Sequence, residues 1–66
     1  MIWDQNRNPT KHVSDALGIE RWQLREAVHK IKTNNNLRPA DRIVIYNDGK
    51  VTDANGAEIG NIYDEI

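Results

Sequence analysis

His29 lies in the segment VSDALGIERWQLREAVHKIK, residues 13–32, with Arg21, Arg25 and Lys32 at helical spacing around it. At about 100° per residue these four side chains fall in one stripe beside an apolar face made of Leu24, Val28 and Ile31. A histidine in such a stripe is a candidate to accept a proton. Lysine or arginine can stabilise the charge that develops on a phosphorane-like phosphorus. Cleavage of RNA without a metal needs little else, because the substrate's own 2'-hydroxyl is the nucleophile. A lone histidine is also an ordinary half-exposed helix residue, so the elements around it have to carry part of the argument.

Asn8-Pro9 reads as a helix start: Asn caps exposed amides, and Pro at the first helical position gives up no needed hydrogen bond. A helix over about residues 9–17 follows, with Val13, Ala16 and Leu17 on its apolar face and Gly18 ending it in a left-handed cap. A second helix over about residues 20–33 buries Leu24, Ala27, Val28 and Ile31 at i, i+3, i+4 and i+7. The Asn34-Asn35-Asn36 run ends it, and Leu37-Arg38-Pro39 is a connector, since the residue before proline is pushed out of the helical region.

From Arg42 the apolar period changes from helix to strand. Strands are expected over about 42–46, 50–53 and 57–62, joined by turns at Asp48-Gly49 and Asn55-Gly56. Ile43, Ile45, Val51, Ile59 and Ile62 are the sheet's core candidates. The expected architecture is α+β: two N-terminal helices packed on one face of a three-stranded antiparallel β-meander, in a single small domain spanning 1–66.

A chain of 66 residues buries only about 60% of its unfolded surface, so its core is small and its stability marginal. It has no cysteine, which excludes disulfides, thiolate metal sites and thiol nucleophiles. No apolar run approaches the roughly 20 residues of a membrane span, and residues 1–9 are too polar for the core of a signal peptide, so no membrane is expected as a partner. The net charge of -1 conceals an asymmetry. Through Arg38, seven Lys and Arg outnumber four Asp and Glu, a surplus of three positive charges; from Pro39 on, two face six, a deficit of four. A basic helical face suited to phosphate and an acidic sheet would account for this, as would two solvated surfaces that differ by chance.

Other chemistries find little support. There is no phosphate loop and no Gly-x-Gly-x-x-Gly fingerprint, so no nucleotide cofactor is expected. His12 and His29 are too few and too far apart for zinc, although Asp15 follows His12 closely enough for a weak surface site. Asp53-Ala54-Asn55-Gly56 begins like a calcium loop but has no bidentate glutamate at the required distance, which leaves its acids as turn formers.

Two resemblances enter on specific residues. Val13, Ala16-Leu17-Gly18-Ile19, Leu24 and Val28 resemble a helix-turn-helix motif. That resemblance implies a second helix lying in the DNA major groove, with Arg21, Trp22, Arg25 and His29 facing the bases. Glu20 departs from it, standing where that family prefers serine or threonine, and the hairpin that would form a wing is acidic.

The longer pattern is Leu17-Gly18-Ile19, Gln23-Leu24 and Ala27-Val28-His29-Lys30-Ile31-Lys32, then a strand, an Asp-Gly turn, Val51, and Ile59-Gly60-Asn61-Ile62-Tyr63-Asp64. It resembles the C-terminal toxin domains of bacterial polymorphic toxins, of the Rhs and contact-dependent-inhibition types. The resemblance implies a domain delivered as part of a larger secreted or cell-surface protein into the cytoplasm of a competing cell, and neutralised in its maker by a cognate immunity protein. Many such domains are nucleases acting on RNA, and a protein of the target cell would help present substrate to a domain of net charge -1. On this pattern the catalytic candidates are His29 as base or acid, Lys32 holding a phosphate and Asp64 orienting His29 or an arginine, with Arg21, Arg25 and Asn61 binding substrate and no cofactor. A non-enzymatic interaction domain anchored by Trp3, Trp22, Tyr46 and Tyr63 is the remaining alternative, although at least one tryptophan is expected in the core.

Overall fold

The computed structural model describes residues 10–66 and the backbone of residues 2–4. The Asn8-Pro9 helix start lies outside the described residues. In chain order the elements are β1 (Ile2–Asp4), α1 (Thr10–Leu17), α2 (Arg21–Asn34), β2 (Ile43–Tyr46), β3 (Lys50–Asp53), β4 (Glu58–Asn61) and a 3-10 turn (Ile62–Asp64). The fold is α+β, with the two helices preceding the antiparallel β2-β3-β4 meander. The N-terminal segment adds β1 at the edge beside β2, giving a four-stranded sheet in the order β1-β2-β3-β4. Trp3 is in register with Ile45, so residues 2–4 belong to the sheet, a strand that the three-stranded expectation does not include.

One core lies between the helices and the sheet. Ile43, Ile45, Val51 and Ile62 are wholly buried, as are Ala27 and Ile31 to within 1%. Val13, Leu17, Leu24 and Val28 complete the cluster, and Ile19, Leu37 and Ile59 pack against it half-buried. On α1 the expected face shifts: Ala16 is exposed, whereas Ser14 is buried. Ser14 can occupy an apolar interface because its hydroxyl donates to the Lys11 carbonyl at 3.0 Å, leaving no buried polar atom unpaired.

The β2-β3 hairpin turns at Gly49, whose N–H donates to Tyr46 O at 2.9 Å, while Asp48 accepts from the Lys50 N–H at 3.0 Å. Between β3 and β4 the pairing slips by one residue, with Val51 opposite Gly60 and Thr52 opposite Glu58. Ile59 is the extra residue of this bulge. The bulge locally increases twist and leaves the edge strand irregular, which discourages edge-to-edge pairing. β4 is shorter than the expected 57–62: Asn61 Oδ1 accepts from the Tyr63 N–H at 2.9 Å, capping a 3-10 turn that carries Ile62 out of the strand and into the core.

Candidate nucleic-acid interface

α2 begins where the Gly18-Ile19-Glu20 turn hands the chain over from α1. Gly18 has φ +73, and the Ile19 N–H donates back to Ser14 O at 3.0 Å. Glu20 is the residue that precedes α2, and its N–H donates to Gln23 Oε1 at 3.0 Å. This side-chain bond at the helix start needs neither Ser nor Thr. At the other end, the Asn35 side-chain amide donates to Ile31 O at 2.8 Å and to Ile59 O at 3.1 Å. The C-terminus of α2 is thereby tied to β4, and the helix has little freedom to roll.

With Leu24, Ala27, Val28 and Ile31 committed to the core, the stripe of α2 that runs beside this face carries exposed side chains. Arg21, Arg25 and His29 recur there every four residues, about 6 Å apart along the axis at 1.5 Å per residue. Beside this strip is a cleft of about 250 Å³ lined by Thr10 and Val13 of α1, by Leu24, Arg25, Val28, His29, Lys32 and Thr33 of α2, by Leu37 and Pro39 of the connector, and by Ile45 of β2. Its walls are mainly apolar, and Arg25 and His29 are exposed at its lip. Among the described residues no carboxylate lines it.

Lys32 lines the same cleft but does not belong to the exposed strip. Its side chain is on the margin of the buried face, one turn after Val28, and the connector folds over it. The residue is 4% exposed, and its ammonium donates to Pro39 O at 2.7 Å. Burial lowers its pKa from the ordinary lysine value, and the nearby Asp41 carboxylate partly offsets this. Asp41 is itself held below the usual carboxylate range, first by accepting the Arg38 backbone N–H and then by the Arg38 guanidinium; these contacts are 2.7 and 3.3 Å. The connector is thus an ordered cap on the cleft wall, closed by the Leu37 N–H donating to Lys32 O at 2.8 Å.

Of the six residues singled out from the sequence, Arg25, His29 and Lys32 come together at this cleft, and Arg21 continues their strip toward the start of α2. Asn61 and Asp64 do not line it. Asn61 is occupied as the cap of the 3-10 turn, and Asp64 is exposed on that turn. The chain end instead meets a neighbouring part of α2, where Glu65 and Ile66 form a shallow groove with Trp22, Gln23, Glu26 and Lys30, and Lys30 donates to Glu65 O at 3.4 Å. Trp22 is 57% exposed, so it is not the core tryptophan; the side chain of Trp3 lies outside the described residues.

The segment from Gly60 to Tyr63 has packing reasons for its composition. A Cβ at Gly60 would come within 3.1 Å of Ile31, Ile62 fills the core, and the Tyr63 hydroxyl donates to Leu17 O at 2.7 Å. The acids of the Asp53 turn likewise serve the backbone: Asp53 Oδ1 accepts from the Asn55 and Ala57 N–H groups at 2.9 and 3.0 Å. Among the described residues no group of three or more His, Cys, Asp or Glu is arranged to hold a metal, and no helix is long and apolar enough to cross a membrane.

Thr10, Thr33, Leu37 and Pro39 are cleft residues that the sequence did not single out. Nothing in their spacing marks them, since they converge from two helices and a connector. Comparison with protein-family models, with curated proteins and with solved structures finds no match to this chain.

Proposed function

We propose that this domain is a polymorphic-toxin module that cleaves RNA without a metal, with His29 as its proton-transfer group. The observation that carries the reading is that Arg25 and His29 share the lip of one cleft, with Arg21 one turn further along the same exposed strip. In the reaction, His29 removes the proton from the ribose 2'-hydroxyl, and the oxygen attacks the adjacent phosphorus. The bond from phosphorus to the 5'-oxygen breaks, leaving a 2',3'-cyclic phosphate, and solvent supplies the proton to the departing 5'-hydroxyl. Arg25 and Arg21 bind phosphate oxygens from the exposed strip, and the buried Lys32 ammonium adds positive charge from the cleft wall. Asn61 and Asp64 serve the C-terminal turn in this reading. The partners are the RNA substrate, a cognate immunity protein and a protein of the target cell; delivery is as part of a larger protein.

The test is inducible expression of the wild type and of His29→Ala in a bacterium, with growth followed and total RNA run on a denaturing gel. His29 is exposed, so its truncation leaves the core untouched. Growth arrest with discrete RNA fragments, both lost in a folded variant, is the expected result. Healthy growth with intact RNA in wild-type cells would sink the reading.

A second reading, a helix-turn-helix DNA-binding module, is favoured by the Gly18 turn and by the bond from Glu20 to Gln23 that starts α2 without a serine or threonine cap. It requires duplex DNA binding that weakens steeply with salt. A domain that binds duplex DNA and leaves RNA intact would decide for it.

A further inference from the structure

We infer that the cleft beside His29 is a nucleobase subsite, so that the substrate is RNA with an unpaired nucleotide, single-stranded or looped, and not a continuous duplex. This rests on the proposed function and adds a substrate class to it. At about 250 Å³ the cleft is smaller than the roughly 300–1,000 Å³ of drug-sized ligand sites, which suits one planar ring system better than an extended ligand. Val28 and the half-buried Leu37 provide apolar walls, with Leu24 and Ile45 closing the floor behind them, of the kind that receive the faces of an extruded base. Thr33 brings a hydroxyl that can donate to or accept from a base edge.

The charge pattern names the rest of the occupant. Among the described residues the ionisable lining groups are Arg25, His29 and Lys32, with no acid, so an apolar pocket opens under a cationic lip. A nucleotide has the matching form, a flat ring attached to an anionic phosphate. With the base in the cleft, its own phosphate comes to the lip where Arg25 and His29 stand. A paired base cannot enter, because its edge is held by its partner and its faces by its neighbours in the stack; RNA recognition through bases accordingly uses loops and single strands.

The test uses a short 2'-O-methyl RNA of mixed sequence, which lacks the nucleophile and survives incubation. Binding is measured by fluorescence anisotropy for the free strand, for the strand annealed to its complement, and for both with Thr33→Trp and Arg25→Ala. Thr33 is exposed at the edge of the cleft, so tryptophan there occludes the opening without entering the core. The expected result is single-strand binding about tenfold tighter than duplex binding, a preference that Thr33→Trp removes. In the wild type, single-strand addition should move the methyl NMR signals of Val28 and Leu37, a readout that does not depend on the variant folding.

Equal binding of strand and duplex, weakened by Arg25→Ala but indifferent to Thr33→Trp, with those methyl signals unmoved, overturns the base subsite while leaving RNA on the α2 strip. Failure to bind any RNA overturns the proposed function and the subsite together.

Discussion

The Tyr63 hydroxyl donates to the carbonyl of Leu17 at 2.7 Å, across 46 residues of chain. Leu17 is the last residue of α1, where carbonyls have no intrahelical partner, so the C-terminal turn finishes the first helix. Tyr63→Phe keeps the ring and removes the bond. Urea unfolding should show a loss of about 0.5–1.5 kcal/mol, with RNA cleavage unchanged under folding conditions.

Gly49 and Gly56 separate two costs that glycine can hide. Both have positive φ, +91 and +88, but a Cβ at Gly49 would meet Tyr63 at 2.5 Å and Asn61 at 2.6 Å, while one at Gly56 meets nothing within 4 Å. Gly56→Ala should cost only the left-handed backbone penalty of about 1–2 kcal/mol. Gly49→Ala should cost distinctly more in the same denaturant titration, because it also displaces the C-terminal turn.

Lys32 makes a prediction at high pH. Its folded pKa is lowered by burial, so between that value and the unfolded one the unfolded chain holds the extra proton, and stability rises with pH across the window. Below the window the charged ammonium is buried at a cost. The stability difference between the wild type and Lys32→Met, followed by thermal unfolding, should therefore shift in favour of the wild type as pH rises toward the ordinary lysine pKa.

Asp41 gives the opposite end of the pH scale. Its pKa is lowered by the Arg38 N–H and guanidinium, so its contribution is present above the unfolded carboxylate value and is lost as pH falls through the folded one. Asp41→Asn should lose less stability on acidification than the wild type does. Parallel acid curves for the two proteins would contradict the Asp41–Arg38 cap.

If Arg21 and Arg25 each hold a phosphate, each alanine variant should weaken single-stranded RNA binding at low salt. Each should also reduce the slope of log affinity against log salt by about 0.7. A variant that lowers affinity without changing the slope would show that the arginine acts through packing.

Much of the architecture was legible in local pattern. The 3.6-residue period identified Leu24, Ala27, Val28 and Ile31, and the alternation of Ile43 and Ile45 with their neighbours identified β2; both depend only on which face of an element can be removed from water. Arg21, Arg25 and His29 were legible as a strip for the same reason. β1 was not, because three residues carry no period and become a strand only by pairing with Tyr46, Ile45 and Val44. The environment of Lys32 was also hidden: helical spacing put it with the exposed cations, but the connector, whose course no local rule specifies, folds over it and turns a surface charge into a buried one. Asn61 and Asp64 were singled out by the resemblance of the C-terminal segment and not by any periodicity, and the packing of Ile62 and Tyr63 places them on a turn that does not line the cleft. Local periodicity determines which side chains share a face; the assembly of elements distant in sequence decides which faces meet, and only that assembly made the cleft.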